Sequence, residues 1–174
     1  MFAAAAAFFA GQWWAGQRRE QAVVAVDQAA IQAYFSPKGG ASRAIADALD
    51  EATESVFVQA YSFTSDPIAA ALARAKRRGV DVQVVLDKSQ KEHKQSKATA
   101  MRHARIPVWI DDKHGIAHNK VMIIDKKIVV TGSFNFTTSA EGRNAENLLI
   151  IKDPKLAARY LANWESHRAH SEDY

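Results

Sequence analysis

No cysteine occurs among the 174 residues, so disulfide staples, thiolate zinc ligands and thiol nucleophiles are excluded. Proline and glycine are scarce, four and eight residues, too few for a collagen-like or low-complexity chain. No run reaches the roughly 18 consecutive apolar residues of a convincing membrane span, which excludes a multi-pass membrane protein. Charge of one sign does not dominate: 23 basic against 19 acidic side chains leave a net +4. That is a slight lean towards a polyanionic partner. No internal repeat is visible. What is present is a sequence 48% hydrophobic and 24% charged, with enough apolar material for one core and too little net charge for a disordered chain.

Residues 1–29 differ from the rest. MFAAAAAFFA is apolar throughout and is followed by Trp13, Trp14, and then Arg18, Arg19 and Glu20. The segment reads as a signal peptide, with cleavage points at Ala25, Ala29 and Ala30, which puts the domain, 30–174, in the periplasm or outside the cell. The paired arginines follow the apolar run instead of preceding it, so the alternative is an uncleaved anchor that contacts a membrane through residues 1–16. Without residues 1–29 there remain 21 basic and 17 acidic side chains. The basic excess therefore belongs to the domain.

From Ile31 the hydrophobic period alternates between two and about 3.6, the pattern of an α/β domain. IQAYF (31–35) and SVFVQAYSF (55–63) have strand composition, and VDVQVVLD (80–87) is a third strand. Ser42 is placed to cap a helix running to about Ala52, with Ile45 and Leu49 facing inward. Asp66 before Pro67 signals another helix start, ended by Gly79. Strand, helix, strand, helix, strand favours a parallel sheet. HNKVMIID (118–125) and IVVTG (128–132) flank Lys126 and Lys127 as a hairpin without a turn glycine. A strand at 147–152 and an amphipathic helix from Pro154 complete the chain, the helix having Leu156, Tyr160, Leu161 and Trp164 at core spacing.

Within KSQKEHKQSKAT (88–99), Lys88, Lys91, Lys94 and Lys97 recur every three residues. They form one face if the segment is helical and a basic loop if it is not, and either can contact a phosphate backbone. His118 and Lys120 leave the same face of an extended strand. The hairpin brings Gly132, Ser133 and Asn135 back beside them, so an imidazole, an ammonium, a hydroxyl and an amide converge, the set needed around a phosphoryl oxyanion. His114 and His118 have metal-ligand spacing only on a helix, which Gly115 and the β-branched run argue against, so no metal is expected. His167 and His170 read as surface residues. Asp111 and Asp112 read as a polar loop, and Trp109, Trp164, Tyr61 and Phe63 as core. Ser133 lacks the pattern of a nucleophile elbow.

The series His118, Lys120, Asp125, Gly132, Ser133, Asn135 resembles the His-x-Lys-x4-Asp-x6-Gly-Ser-x-Asn signature of the phospholipase D superfamily. Six such matches arise by chance about once in 10⁵ to 10⁶ sequences of average composition. The similarity spans about Ile31 to Trp164, through YSF, RRGVDVQVVLD and GSFNFT, and the chain order resembles the superfamily's compact single-motif bacterial endonucleases. The resemblance implies a single domain with a mixed, largely parallel β-sheet flanked by helices on both faces. It implies a phosphodiesterase that needs no cofactor, in which His118 forms a phosphohistidine and a second histidine protonates the leaving oxygen. Lys120, Asn135 and Ser133 would hold phosphate oxygens, Asp125 would fix Lys120 or the hairpin, and Glu146 would orient His118. Because no second His-x-Lys exists, the second histidine is expected from another chain, in a C2 homodimer. The substrate expected is DNA, with RNA as a further substrate. The alternatives are a lipid phosphodiesterase or transphosphatidylase and an inactive nucleic-acid-binding module.

Overall fold

The computed structural model describes residues 30–174, so the expectations for the signal peptide or anchor lie outside the described residues. Eight strands form one sheet: β1 (Ile31–Phe35), β2 (Ser55–Ala60), β3 (Asp81–Asp87), β4 (Val108–Asp111), β5 (Lys120–Ile124), β6 (Ile128–Gly132), β7 (Asn147–Lys152) and β8 (Glu172–Asp173). The helices are α1 (Ala41–Glu51), α2 (Asp66–Arg77), α3 (Ala98–His103), α4 (Thr138–Gly142) and α5 (Pro154–His170). None among the described residues is long and apolar enough to cross a membrane.

The strand order is β1-β7-β6-β5-β2-β3-β4-β8. The sheet is mixed, as expected, but the parallel neighbours are confined to β2 with β3 and β3 with β4. All the other neighbours are antiparallel. The expected parallel neighbour on the other side of β2 is missing because the hairpin strand β5 takes that place, Ala60 pairing with Lys120. β1 is displaced to the far edge, where Ile31 pairs with Ile151. β2 thus sits in the middle of the sheet with all six residues buried, which is why it reads as an unbroken apolar run.

Each face of the sheet has its own core. On one, Ile45 and Leu49 of α1, Ile68 and Leu72 of α2 and Met101 of α3 pack on Val56, Val58, Val84 and Met122, together with Phe63, Phe134 and Phe136. On the other, α5 brings Ala157 and Trp164 onto Phe57, Val85, Ile123 and Val129. Full burial of each large apolar side chain contributes about 1.5–3 kcal/mol. Trp164 also donates its indole N–H to the Val58 carbonyl at 2.8 Å.

Two helix starts differ from expectation. The α1 cap is not Ser42: the Glu141 carboxylate accepts from the amides of Gly40 and Ser42 at 3.1 and 2.7 Å. Those two amides are free donors at a helix start, and a carboxylate satisfies them better than a hydroxyl. At α2, Ser65 is the cap and Asp66 occupies the first turn, where its carboxylate pairs with Lys97. The turn between β5 and β6 is made without glycine, by Asp125 and Lys126 in the left-handed region at φ 52° and 55°. Aspartate tolerates that conformation.

Candidate active site

Four neighbouring strands end in one row. Ala60 of β2 pairs with Lys120 of β5, Val121 pairs with Thr131 of β6, and Gly132 pairs with Leu148 of β7. The residues that follow or precede these positions are Tyr61, His118, Ser133 and Glu146. Beyond Ala60 the backbone leaves the sheet, and the Tyr61 amide donates to the Asn119 carbonyl at 2.7 Å. Tyr61 is therefore not core, as the alternation suggested. Its ring lies 4.6 Å from the His118 ring and 5.0 Å from the Lys120 ammonium, so one aromatic face supports both.

His118 is exposed and lies in the irregular segment before β5, two residues before the strand begins. Its carbonyl accepts from Lys120 Nζ at 2.7 Å. Among the described residues its ring has the Tyr61 contact and no hydrogen-bond partner. Lys120 is only 6% exposed, and burial pushes its ammonium below the ordinary lysine value while the charges of Glu146 and Asp87 pull it back up.

Ser133 and Glu146 are joined directly. Ser133 Oγ donates to Glu146 Oε2 at 2.6 Å, and Asn144 Nδ2 donates to Glu146 Oε1 at 3.0 Å. Ser36, at the end of β1, fixes the Glu146 backbone through both its amide and its hydroxyl. Within one chain the described bonds of Glu146 thus go to Ser133 and Asn144, not to His118. Asn135 lies between the fully buried Phe134 and Phe136, and its Oδ1 is buried without a protein partner.

Asp125 is not in this row. It lies at the opposite end of β5, about 16 Å along the strand, where its carboxylate accepts from the Glu54 and Ser55 amides at 2.8 and 2.9 Å and from the amide and hydroxyl of Thr53. Burial pushes its pKa up, but these donors outweigh that and hold it below the ordinary value. Of its two expected roles, it fixes the hairpin and does not touch Lys120.

The four lysines do not share a face, because residues 88–90 form one 3-10 turn and α3 begins only at Ala98. Lys88 donates to the His114 carbonyl at 3.0 Å. Lys91 lines a separate pocket beside Arg102 and Tyr174. Lys94 and Lys97 line a cavity of about 660 Å³ with Thr64, Thr138, Ser139 and Arg143.

Two further corrections concern polar residues. Asp111 is not loop but the fully buried end of β4. His167 and His170 are not free surface residues: their side chains are 16% and 20% exposed and turn towards Asp111. Asp87 was not singled out from the sequence, yet it is buried and accepts from the Ser89 and Ala117 amides at 2.9 and 2.7 Å. It holds the segment that leads to His118. Its only signal was a carboxylate at the C-terminal end of a buried strand.

Residues 45–168 match the family described as "Cardiolipin synthase, PLD-like domain". The chain belongs to the phospholipase D superfamily. Within the phospholipase D superfamily it is similar to a Rickettsia bellii protein named "Phospholipase D", at 49% identity over 139 residues, 80% of this chain and 69% of that protein. The solved structure of Nuc, a phospholipase D family member from Salmonella typhimurium, matches with a TM-score of 0.79 at 40% identity and covers 83% of this chain and 97% of Nuc. NucT from Helicobacter pylori matches with a TM-score of 0.75 at 26% identity, over 83% of this chain and 99% of NucT. As a superfamily member the chain is a phosphodiesterase.

Proposed function

We propose that the chain is a metal-independent endonuclease that cleaves DNA, with RNA as a further substrate, through a phosphohistidine at His118. The observation that carries this reading is an exposed imidazole, unpartnered among the described residues, beside the nearly buried ammonium of Lys120. An uncommitted neutral imidazole is a nucleophile, and a desolvated cation next to it stabilises charge growing on a phosphoryl oxygen. In the first step a His118 ring nitrogen forms a bond to phosphorus, the bond from phosphorus to the leaving oxygen breaks, and a second imidazole protonates that oxygen. In the second step the second imidazole takes a proton from water, the water oxygen attacks phosphorus, and the phosphorus–nitrogen bond breaks.

Lys120 and Asn135 would hold the non-bridging oxygens. Asn135 would do so through its Nδ2 group, since an amide oxygen only accepts, whereas Ser133 is committed to Glu146 and acts by positioning the carboxylate. A second copy would supply the second imidazole, because His114, His167 and His170 surround Asp111 and no other His-x-Lys exists in the chain. The cavity lined by Lys94, Lys97 and Arg143 favours a polyanionic strand over a single headgroup. Lipid hydrolysis is the second reading, favoured by the name of the Rickettsia bellii relative and the apolar residues 1–10. Residues 1–29 are read as an export signal, which the intact mass of the native protein tests.

The deciding experiment incubates the protein with supercoiled plasmid or with phospholipid vesicles, in excess EDTA, beside His118→Ala. Plasmid cleavage that falls about 10³-fold or more in the variant supports the proposal. Vesicle hydrolysis alone establishes the lipid reading, and cleavage that survives His118→Ala overturns the mechanism.

A further inference from the structure

Three histidines from two distant parts of the chain turn towards one buried carboxylate. Asp111 ends β4 with no exposure. His114 Nδ1 lies 3.0 and 3.1 Å from its two oxygens, His167 Nδ1 lies 2.7 Å from Oδ2, and His170 Nε2 lies 3.3 Å from Oδ1. His167 and His170 are spaced i, i+3 in the last turn of α5 and so share a face. The ring centroids are 4.7 to 5.4 Å apart, and one donor atom from each of the four residues falls within 4.8 Å of the others.

Hydrogen bonding alone does not account for this group. His170 Nε2 is buried and makes no hydrogen bond, although it faces the carboxylate. A surface cluster of imidazoles would turn its polar atoms outward to water, whereas these converge. In a tetrahedral zinc site with bonds of about 2.0–2.2 Å, neighbouring donor atoms stand roughly 3.3–3.6 Å apart. The carboxylate–imidazole separations, 2.7 to 3.3 Å, lie close to that, and opening the shortest by about half an ångström while drawing the imidazole donors, all within 4.8 Å, slightly together makes room for the ion.

We propose that Asp111, His114, His167 and His170 form a zinc site. Three imidazoles and one carboxylate are a donor set suited to zinc among the divalent cations, and four protein ligands close the coordination shell, so the site is structural and not hydrolytic.

The position of the site gives the ion a purpose. Asp111 pairs with Asp87, and Leu86 pairs with Ala60, which pairs with Lys120. The zinc site therefore lies at the same end of the sheet as the catalytic row, about three strands or 14 Å away. One segment, 112–119, joins the two, with His114 in the first and His118 in the second. Its other ties include Lys88 to the His114 carbonyl, the Ala117 amide to Asp87 and, at its far end, the Tyr61 amide to the Asn119 carbonyl. Zinc would fix that segment to the end of α5.

The test uses the full chain, stripped of metal and titrated with Zn²⁺ alone. Calorimetry and elemental analysis should give one zinc per chain, and saturating zinc should raise the Tm by about 5–10 °C. The double variant His167→Ala/His170→Ala should lose at least about 100-fold in affinity together with the Tm rise. His93→Ala/His103→Ala, which alters histidines elsewhere, should keep both. Should the first variant fail to fold, Co²⁺ added to the wild-type chain should give the intense visible absorption of tetrahedral nitrogen and oxygen coordination. No stoichiometric zinc, a weak octahedral cobalt spectrum, or binding that survives the double variant would each overturn the site.

Discussion

Lys120 is a cation kept almost dry, and that sets how activity should respond to pH. Burial lowers its pKa while Glu146 and Asp87 raise it, so the ammonium persists at low pH and is lost on the alkaline side earlier than an ordinary lysine. Glu146→Gln removes one of the charges that sustain it, and the alkaline limb of the pH–rate profile should move to lower pH. A limb that stays in place would assign it to another group. Asp125 works in the opposite sense. Its folded pKa is depressed, so its contribution is present above the unfolded value of about 3.9 and fades as pH falls through the lower folded value. Asp125→Asn should cost about 2 kcal/mol at pH 7, a Tm drop of about 4–8 °C for a chain of this size. That difference from wild type should shrink below about pH 4, with turnover per folded molecule unchanged throughout. The spacing of His118, Lys120, Ser133 and Asn135 was legible because it is local and the hairpin folds it. Tyr61 was not, because alternation says which way a side chain points only while the strand continues, and β2 stops at Ala60.

At the scale of elements, the junction of β6 and β7 determines whether Ser133 meets Glu146. Gly132 has φ 150°, and a Cβ there would lie 2.3 Å from the Asn147 carbonyl oxygen. Gly132→Ala must push the two strands apart and strain the backbone. It should cost about 2–4 kcal/mol in urea unfolding, and activity per folded molecule should fall as well, because Ser133 binds Glu146 and Asn147 across that junction. Retained stability with lost activity would point instead to a direct role of the glycine in binding. Most elements were readable from period and punctuation: the buried run of β2, Pro67 and Pro154 at helix starts, and Gly79 after α2. Partners far along the chain were not. β1 pairs with β7 and Glu141 caps α1, and no local pattern in either segment names its partner, since long-range pairing is settled by the whole sheet.

At the scale of the molecule, the proposed sharing of the active site between two copies predicts how mixed subunits behave. If each phosphate needs His118 from both copies, then wild type mixed with an equal amount of His118→Ala, dissociated and reassociated, should show per total chain about one quarter of the activity of wild type alone. Independent sites would retain about one half. Activity per chain should also fall on dilution below the dimer constant. The division of the core into two faces has an optical consequence as well. Within 30–174 the tryptophans are Trp109 and Trp164, both packed on the face covered by α5 and 6.3 Å apart. In a chain starting at residue 30, indole emission would therefore report the docking of a single helix. It would be silent about the opposite layer, where Ile45, Leu72 and Phe134 lie. Comparing its denaturant midpoint with that of far-ultraviolet circular dichroism would show whether the two layers melt together or α5 peels away first.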